Sequence, residues 1–485
     1  MKAQSLIIAA AALLLADASP AAESLPLQSV NRANAIIDAA IEAHGGAKAL
    51  EGLKTLAQKQ EFINVATGQS RKPGPPYDRS RSSNFNAIDV DNRIFVNRNW
   101  GEGGGFVFDQ GVIINGENSW QLNHRSGTAA PLAEPDFGAQ SGPFIRVTPA
   151  LLLKQLQARR QTSHWLGEVE VDGRKQDIVT LVMETGPGLS LYFDQQSHML
   201  TRMERVLPPF GQIEYAFLDY AEVEGIAFNQ AFRLYVNGED NLIMDILETR
   251  VNQPLEPWLE VPAGLERVAA VRPDEFGSQE IGEGVFLIGG NGNYSMFVEM
   301  ADHVVAIGGT QAVQPGIEEL RKQVAEKPIR YGVLTHHHSD HVPGAAAYAK
   351  EGATIVTFRE NEAVVRKAAG DENAVLQFVE DRLSLSDGSR TVELYNIGPT
   401  PHAENILIAY LPAEGIIFEA DHFPQPATGV IPPAVPVTVA FAEALDRLGL
   451  EFTTLVGAHS PRAATPADVE KALGRQPAAA TAAGR

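Results

Sequence analysis

Apolar and polar residues alternate with two different periods in the first half of the chain. Over residues 31–43 the apolar positions recur at helical spacing and Gly45-Gly46 follows, which predicts a helix that ends there. Further along, apolar and polar residues alternate one by one, which predicts half-buried strands. The clearest of these strands are 169–171, 177–182, 189–193, 213–217, 232–236 and 243–247.

Two dipeptides between these strands, Asp172-Gly173 and Asn237-Gly238, are typical of tight hairpin turns. Because strands joined by tight turns pair antiparallel, residues 24–265 are predicted to form a curved or barrel-like antiparallel sheet. The glycine- and proline-rich stretch from Trp100 to Pro143 predicts long loops within it.

The pattern changes after the proline-punctuated segment 254–264, which predicts a domain boundary. Short apolar runs predict strands at 284–288, 295–300 and 303–307. Helical patterns then alternate with further strands at 317–325, 344–351, 359–369, 438–448 and 466–473. We therefore expect an antiparallel β domain over residues 23–265 and a mixed α+β domain over residues 270–475.

The length of the chain bears on the number of domains, and its net charge bears on the molecules that it can bind. A chain of 485 residues exceeds the usual size of one domain, which agrees with this division. The net charge of −21 repels phosphate backbones, so we expect a small-molecule substrate and no nucleic acid.

The first 22 residues have the layout of a secretory signal peptide, with Lys2 before a short apolar run and small residues after it. This predicts a periplasmic or secreted protein. The absence of cysteine agrees with an oxidising compartment, and no other segment is apolar enough to predict a transmembrane span. Residues 476–485 are low in complexity and are predicted to be a disordered tail.

Candidate chemistry is concentrated in the segment from Thr335 to His341, which contains four histidines and one aspartate and follows a predicted buried strand. Imidazole and carboxylate are ligands that Zn²⁺ prefers. In an extended turn, residues two apart point the same way, so His336 and His338 can bind one ion. Asp340 and His341 can then reach a second ion.

Three later residues follow other predicted strands in the same manner. They are His402, Asp421 and His459. Side chains at the ends of several strands can converge on one point, so the sequence predicts a metal site built from four segments.

These residues resemble the signature of the metallo-β-lactamase superfamily, which reads His-x-His-x-Asp-His, then His, Asp and His. The resemblance covers about residues 275–475 and implies an αββα sandwich for the second domain. It implies that His336, His338 and His402 bind a first metal ion, and that Asp340, His341 and His459 bind a second. Asp421 is implied to bridge the two ions.

The resemblance also implies a reaction. Two Zn²⁺ ions are expected per chain, with iron or manganese as the alternative metals, and hydroxide would attack an ester, lactone or amide bond, β-lactams included. Asp340 is the expected catalytic residue beside the hydroxide. His422, next to the implied bridging residue, could donate to substrate or could only support the ligands. His337 is expected to point away from the metal.

The sequence departs from the family after one early strand, where Ile307-Gly308-Gly309 replaces the usual Asp-x-Gly turn. A carboxylate that often steadies the site is therefore expected to be missing. Around His402 the usual glycine-flanked motif is also replaced, here by Pro401 and Ala403.

Two alternatives to a hydrolase remain open. A single-iron thiol or persulfide dioxygenase uses much the same ligands in this superfamily. The first domain, through its strand pattern and the helix end Ala43–Gly46, also resembles the lipoprotein carriers of bacterial envelopes. That resemblance implies a lipid-binding envelope protein with a vestigial metal site, although this domain could equally be a scaffold or form a homo-oligomer.

Overall fold

The computed structural model describes residues 23–184, 186, 188–208, 211–270, 274–324, 327–423, 425 and 428–475. The predicted signal peptide and the predicted C-terminal tail lie outside these residues, as does Ala325 at the end of one predicted helix.

The first part of the chain contains helices and a long series of strands. The helices are α1 (Leu25–Ala43), α2 (Ala47–Gly52), α3 (Phe137–Arg146) and α4 (Pro149–Arg159). The strands are β1 (Thr55–Val65), β2 (Arg79–Asp89), β3 (Ile94–Gly103), β4 (Phe106–Ile114), β5 (Trp120–Asn123), β6 (Thr128–Pro131), β7 (Trp165–Val171), β8 (Arg174–Leu181), β9 (Leu189–Asp194), β10 (Leu200–Leu207), β11 (Gly211–Val223), β12 (Ile226–Val236), β13 (Glu239–Val251) and β14 (Glu266–Arg267).

The second part alternates strands with helices. The strands are β15 (Gly277–Gly282), β16 (Val285–Gly290), β17 (Asn293–Glu299), β18 (Val304–Ile307), β19 (Ile329–Val333), β20 (Thr354–Thr357), β21 (Leu376–Phe378), β22 (Arg382–Ser386), β23 (Thr391–Asn396), β24 (Leu407–Leu411), β25 (Ile416–Glu419) and β26 (Thr454–Gly457). The helices are α5 (Val313–Leu320), α6 (Gly344–Lys350), α7 (Glu362–Ala369), α8 (Pro436–Leu448) and α9 (Pro466–Ala472). Short 3₁₀ turns lie at Arg160–Thr162, Glu256–Trp258 and Arg359–Asn361.

The N-terminal domain is one 14-stranded sheet, in the order β14-β6-β5-β4-β3-β2-β1-β13-β12-β11-β10-β9-β8-β7. Neighbouring strands are antiparallel except the short parallel pair of β14 and β6. Helices α1, α3 and α4 bury apolar side chains against the sheet in one core cluster. The predicted antiparallel sheet is confirmed.

The two predicted hairpin turns are present. Asp172 and Gly173 join β7 to β8 with φ values of 51° and 73°, and Asn237 and Gly238 join β12 to β13 with φ values of 52° and 81°. Positive φ at both central residues is the left-handed geometry that asparagine, aspartate and glycine tolerate best.

The prediction of long loops between Trp100 and Pro143 is wrong. This stretch contains the end of β3, the strands β4, β5 and β6, and the start of α3. Gly104 and Gly105, with φ values of 57° and 82°, form a tight turn that pairs β3 with β4. The glycines therefore mark a hairpin rather than an irregular loop, because their backbone freedom is used in one turn.

The C-terminal domain is a four-layer αββα sandwich, as expected. A seven-stranded sheet (β15 to β21) faces a five-stranded sheet (β22 to β26), and apolar side chains from both fill the space between them. Helices α5, α6 and α7 cover the outer face of the first sheet. Helices α8 and α9 cover the outer face of the second.

Two turns of the N-terminal sheet reach the sandwich. One is the β1–β2 loop, residues 66–78, and the other is the β3–β4 turn at Gly104 and Gly105. Arg125, beyond β5, also donates to the carbonyl of Pro433 at 2.8 Å. Among the helices that the structure describes, none has the length and apolar composition needed to cross a bilayer.

Candidate metal centre

Histidines and aspartates converge where four strands end. The segment after β19 contains His336, His338, Asp340 and His341, and His402 follows β23. Asp421 and His459 follow β25 and β26, in the other sheet from β19.

Asp421 has a backbone φ of 66°, a left-handed conformation that is uncommon for a residue with a side chain. Such conformations are concentrated at functional sites, where the surrounding structure enforces them. The turn after β25 thus places the Asp421 carboxylate among the histidines rather than along the strand.

The first group of side chains comprises His336, His338, His402 and Asp421. Nε2 of His336 lies 3.3 Å from Nε2 of His402. Oδ2 of Asp421 lies 3.2 Å from Nε2 of His336 and 3.1 Å from Nε2 of His402. Ligands about 2.0–2.1 Å from a tetrahedral zinc are separated from one another by roughly 3.3–3.4 Å. The separations therefore match the edges of a zinc coordination tetrahedron.

The second group comprises Asp340, His341 and His459. Nε2 of His341 lies 3.1 Å from Nε2 of His459, and these atoms lie 3.5 and 3.6 Å, respectively, from Oδ2 of Asp340. Asp421 also contacts this group. Its Oδ2 lies 2.9 Å from Nε2 of His341, and its Oδ1 lies 3.2 Å from Nε2 of His459. One carboxylate thus lies between the groups.

In His338, His402 and His459, one ring nitrogen forms a hydrogen bond to a backbone carbonyl. That bond identifies the other nitrogen as the one that can bind a metal ion. His402 Nδ1 lies 3.3 Å from the Gly104 carbonyl and His459 Nδ1 lies 2.8 Å from the Gly292 carbonyl, so each Nδ1 donates and each Nε2 faces the other ligands. His338 uses Nε2 to donate to the Ser70 carbonyl at 2.9 Å, and its buried Nδ1 has no partner among the residues that the structure describes. Lone pairs directed at one another indicate a cation site.

Electrostatics favour the ligand forms of these side chains. Burial, together with neighbouring histidines, holds the pKa of His336 well below its usual value and lowers that of His338 to about 3. Burial raises the pKa of Asp421, but His341 and His336 lower it more, so this carboxyl stays ionised. Neutral imidazole and ionised carboxylate are the states that bind metal.

The second group is more open to solvent than the first. Burial lowers the pKa of His459, but the hydrogen bond to Asp340 and the charge of Asp421 raise it to about 9 overall. The Asp340 side chain is 49% exposed and that of His459 is 29% exposed, whereas those of His336 and His341 are fully buried. The open side of the site is therefore at Asp340 and His459.

His337 and His422 lie outside both groups. His337 is buried and its Nε2 donates to the Ser70 carbonyl at 2.8 Å, so it points away from the metal groups. His422 is also buried, with Nδ1 2.8 Å from the Ala420 carbonyl and Nε2 3.2 Å from Oγ1 of Thr400. Both nitrogens of His422 are engaged in these contacts, which fits a supporting role, and its donation to substrate stays a prediction.

Four supporting residues were not predicted from the sequence. Glu419 is buried and accepts from the His422 backbone N–H at 2.7 Å, and burial raises its pKa to about 7. The others, Gln69, Ser70 and Gly104, belong to the N-terminal domain. Their only local signal is the pair of glycine-containing turns that hold them.

The replacement of the Asp-x-Gly turn has a visible consequence. A Cβ on Gly309 would lie 1.8 Å from the His341 carbonyl oxygen, so the chain passes too close there for any side chain. Nδ1 of His341 is buried and has no protein partner among the described residues. The steadying carboxylate that the family usually supplies is therefore not replaced at this ring.

Comparison with known proteins agrees with this fold and site. Residues 295–459 match the family model of the metallo-β-lactamase superfamily. The comparison with curated proteins found no match for the chain.

Solved structures resemble a part of the chain as well. A metallo-β-lactamase from Pontibacter korlensis is 19% identical over 41% of this chain and 98% of its own, with a TM-score of 0.33. The metallo-β-lactamase FIM-1 from Pseudomonas aeruginosa in its mono-zinc form is 19% identical over 42% and 94%, with a TM-score of 0.32. A flavodiiron protein from Giardia intestinalis is 18% identical over 42% and 59%, with a TM-score of 0.33.

Proposed function

We propose that the protein is a metallohydrolase that holds two zinc ions and cleaves an ester, lactone or amide bond of a small molecule. The observation that carries the proposal is the pair of ligand groups sharing Asp421. A shared carboxylate suits two adjacent cations, whereas structural zinc sites close with four ligands and favour cysteine, which this chain lacks.

The proposed chemistry follows from the donor set. Zinc bound by histidine and carboxylate ligands lowers the pKa of its bound water to about 7, which would supply hydroxide at neutral pH. His336, His338 and His402 would hold the first ion, and Asp340, His341 and His459 the second, with Asp421 between them.

Asp340 has the position expected of the residue beside the nucleophile. Oδ2 of Asp340 faces His341 and His459, Oδ1 accepts from Gln69, and the side chain is half exposed. The carboxylate can therefore orient a water molecule at the mouth of the site and accept its proton. Substrate would approach from the side of Asp340 and His459, since these are the most exposed of the proposed ligands.

A substrate panel tests the reaction class. Zinc-loaded protein should hydrolyse at least one of a set of lactones, β-lactams, aryl esters, sulfate esters and phosphodiesters. Chelation should abolish the turnover and added Zn²⁺ should restore it. Asp421→Ala should lose the turnover, whereas Asp302→Ala, which removes an exposed carboxylate beside His303, should keep it. Oxygen uptake with a thiol or persulfide, without hydrolysis of any panel member, would favour the single-iron dioxygenase instead.

Two further proposals concern the location of the protein and its binding of lipid. The N-terminal segment supports a periplasmic or secreted location, which fractionation of the native host would test. The five imidazoles and two carboxylates of the two groups support a working metal site rather than a vestigial one. Self-association through the N-terminal domain is likewise a prediction, for which sedimentation of the full chain is the test.

A further inference from the structure

We propose that the N-terminal domain is a working part of the metal centre: its β1–β2 loop and its β3–β4 turn orient three of the proposed ligands. The residues that do so are Gln69, Ser70 and Gly104, and the ligands are Asp340, His338 and His402. This inference rests on the proposed metal site and assigns it positioning residues from the other domain.

The β1–β2 loop runs alongside the histidine-rich segment and is bonded to it repeatedly. Ser339 N donates to the Gly68 carbonyl at 2.9 Å, and the Gln69 amide donates to Oδ1 of Asp340 at 2.8 Å. The Ser70 carbonyl accepts from both His337 and His338.

Further bonds hold this loop in place. Oγ of Ser70 accepts from Asp78 N at 2.7 Å, and Oδ2 of Asp78 accepts from Arg71 N at 2.8 Å. The Arg71 carbonyl then accepts from Glu404 N at 2.8 Å, two residues after His402. The loop is therefore braced internally and tied to a second ligand-bearing segment, so it can define side-chain orientation rather than follow it.

The β3–β4 turn performs the same task for His402. The Gly104 carbonyl accepts from Nδ1 at 3.3 Å, and the Phe106 ring packs edge-on against the imidazole with centroids 5.3 Å apart. The Gly105 carbonyl accepts from Val437 N at 3.2 Å, which anchors the turn to α8.

The chemical effect of these contacts is to fix tautomer and direction. A ligating histidine holds its ring through the other nitrogen, and removing such an outer partner typically weakens metal binding by 10–100-fold. His338 and His402 both find that partner in the N-terminal domain, and Asp340 finds its amide donor there. Without these contacts the rings would be free to turn.

Gln69→Ala tests the loop in the full chain, with Gln195→Ala as the matched control. Both glutamines donate from Nε2 to a carboxylate near the surface, Gln69 to Asp340 at 2.8 Å and Gln195 to Glu168 at 3.0 Å. Only Gln69 contacts a proposed ligand. We expect Gln69→Ala to weaken binding of the second Zn²⁺ ion by about 10-fold or more in a chelator competition. Gln195→Ala should match the wild type.

Gly105→Ala tests the turn, with Gly238→Ala as its control. Both glycines take the second central position of a tight hairpin, with φ values of 82° and 81°. A Cβ at Gly105 would lie 2.5 Å from Val437 and 2.6 Å from Pro401, whereas a Cβ at Gly238 would meet nothing within 4 Å. Both substitutions carry the same backbone strain, but only Gly105→Ala should push the turn away from His402.

The readouts are the metal dissociation constants and the visible bands of the cobalt-substituted protein, which report ligand geometry directly. We expect Gly105→Ala and Gln69→Ala to shift the cobalt bands and both controls to leave them unchanged. If Gly105→Ala and Gln69→Ala bind metal as the wild type does, the N-terminal domain does not orient the ligands. The proposed metal site would still stand. Wild-type protein that binds no divalent metal would overturn the proposed function as well. If Gly105→Ala does not fold, the exposed Gln69 still decides the matter.

Discussion

At the scale of single residues, Asp421 is the side chain on which both metal groups depend. It contacts three histidines through Oδ2 and His459 through Oδ1. Asp421→Ala is expected to lower the content of both metals together, with affinity losses of at least 10–100-fold for each. Elemental analysis after dialysis measures this, and Asp302→Ala, another aspartate paired with a histidine, serves as control. Retention of one full equivalent would show that Asp421 belongs to a single group.

His459 and His337 should differ in the same assay. His459→Ala removes a member of the second group and should release mainly one ion. His337→Ala should leave the metal content near that of the wild type, because its Nε2 bonds to the Ser70 carbonyl instead. If His337→Ala strips metal while His459→Ala does not, the assignment of the histidine-rich segment is in error.

The sequence allowed the seven proposed ligands to be predicted but not the groups that hold them. Histidine and aspartate at strand ends are recognisable because ligand chemistry restricts residue type. Ser70 and Gly104 act through backbone carbonyls, which any residue could supply. Their contribution depends on the tertiary contact of segments about 270 to 300 residues from the ligands in the chain, and no local pattern reports it.

At the scale of elements, hairpins with polar central residues were predictable and the glycine-rich region was not. Asp172-Gly173 and Asn237-Gly238 combine a turn dipeptide with alternation on both sides. Around Gly104 the flanking residues are themselves rich in glycine and polar groups, so the alternation of β3 and β4 is masked. The pairing of β3 with β4 therefore depends on their neighbours in the sheet rather than on a local sequence pattern.

The end of α1 supplies a pH-dependent element away from the metal centre. His44 is buried, its Nδ1 lies 2.8 Å from the Ala40 carbonyl, and its ring packs edge-on against Tyr220. Burial, opposed in part by that hydrogen bond, lowers the pKa of His44 to about 4. The unfolded chain binds a proton near pH 6.5, so the unfolded state gains protons first as the pH falls.

The contribution of neutral His44 to the free energy of unfolding is therefore fully present above about pH 6.5. As the pH falls towards 4, the free energy of unfolding decreases by up to about 3 kcal/mol. His44→Gln should flatten this part of the pH dependence, measured as the free energy of unfolding in urea between pH 7 and 4.5. His198→Gln, at an exposed hairpin position, should leave it unchanged. An identical slope in wild type and His44→Gln would contradict the assignment.

At the scale of the whole molecule, the metal centre and the contact between domains should stabilise each other. Ser339, Glu404 and Val437 donate their backbone N–H groups to carbonyls of the N-terminal domain. A metal ion that fixes the ligand-bearing segments should also keep these three hydrogen bonds formed, because a ligand stabilises the conformation to which it binds. Chelation is expected to raise hydrogen exchange at these three amides more than in the sheet interior. Unchanged exchange at all three would show that the domains contact each other independently of the metal.

The central claim is that the shared carboxylate of Asp421 joins two zinc-binding groups. Elemental analysis of the full chain, purified without added metal and paired with native mass spectrometry, tests it most directly. We expect about two zinc ions per chain, both of which are lost in Asp421→Ala. About one iron per chain, accompanied by oxygen uptake, would contradict it.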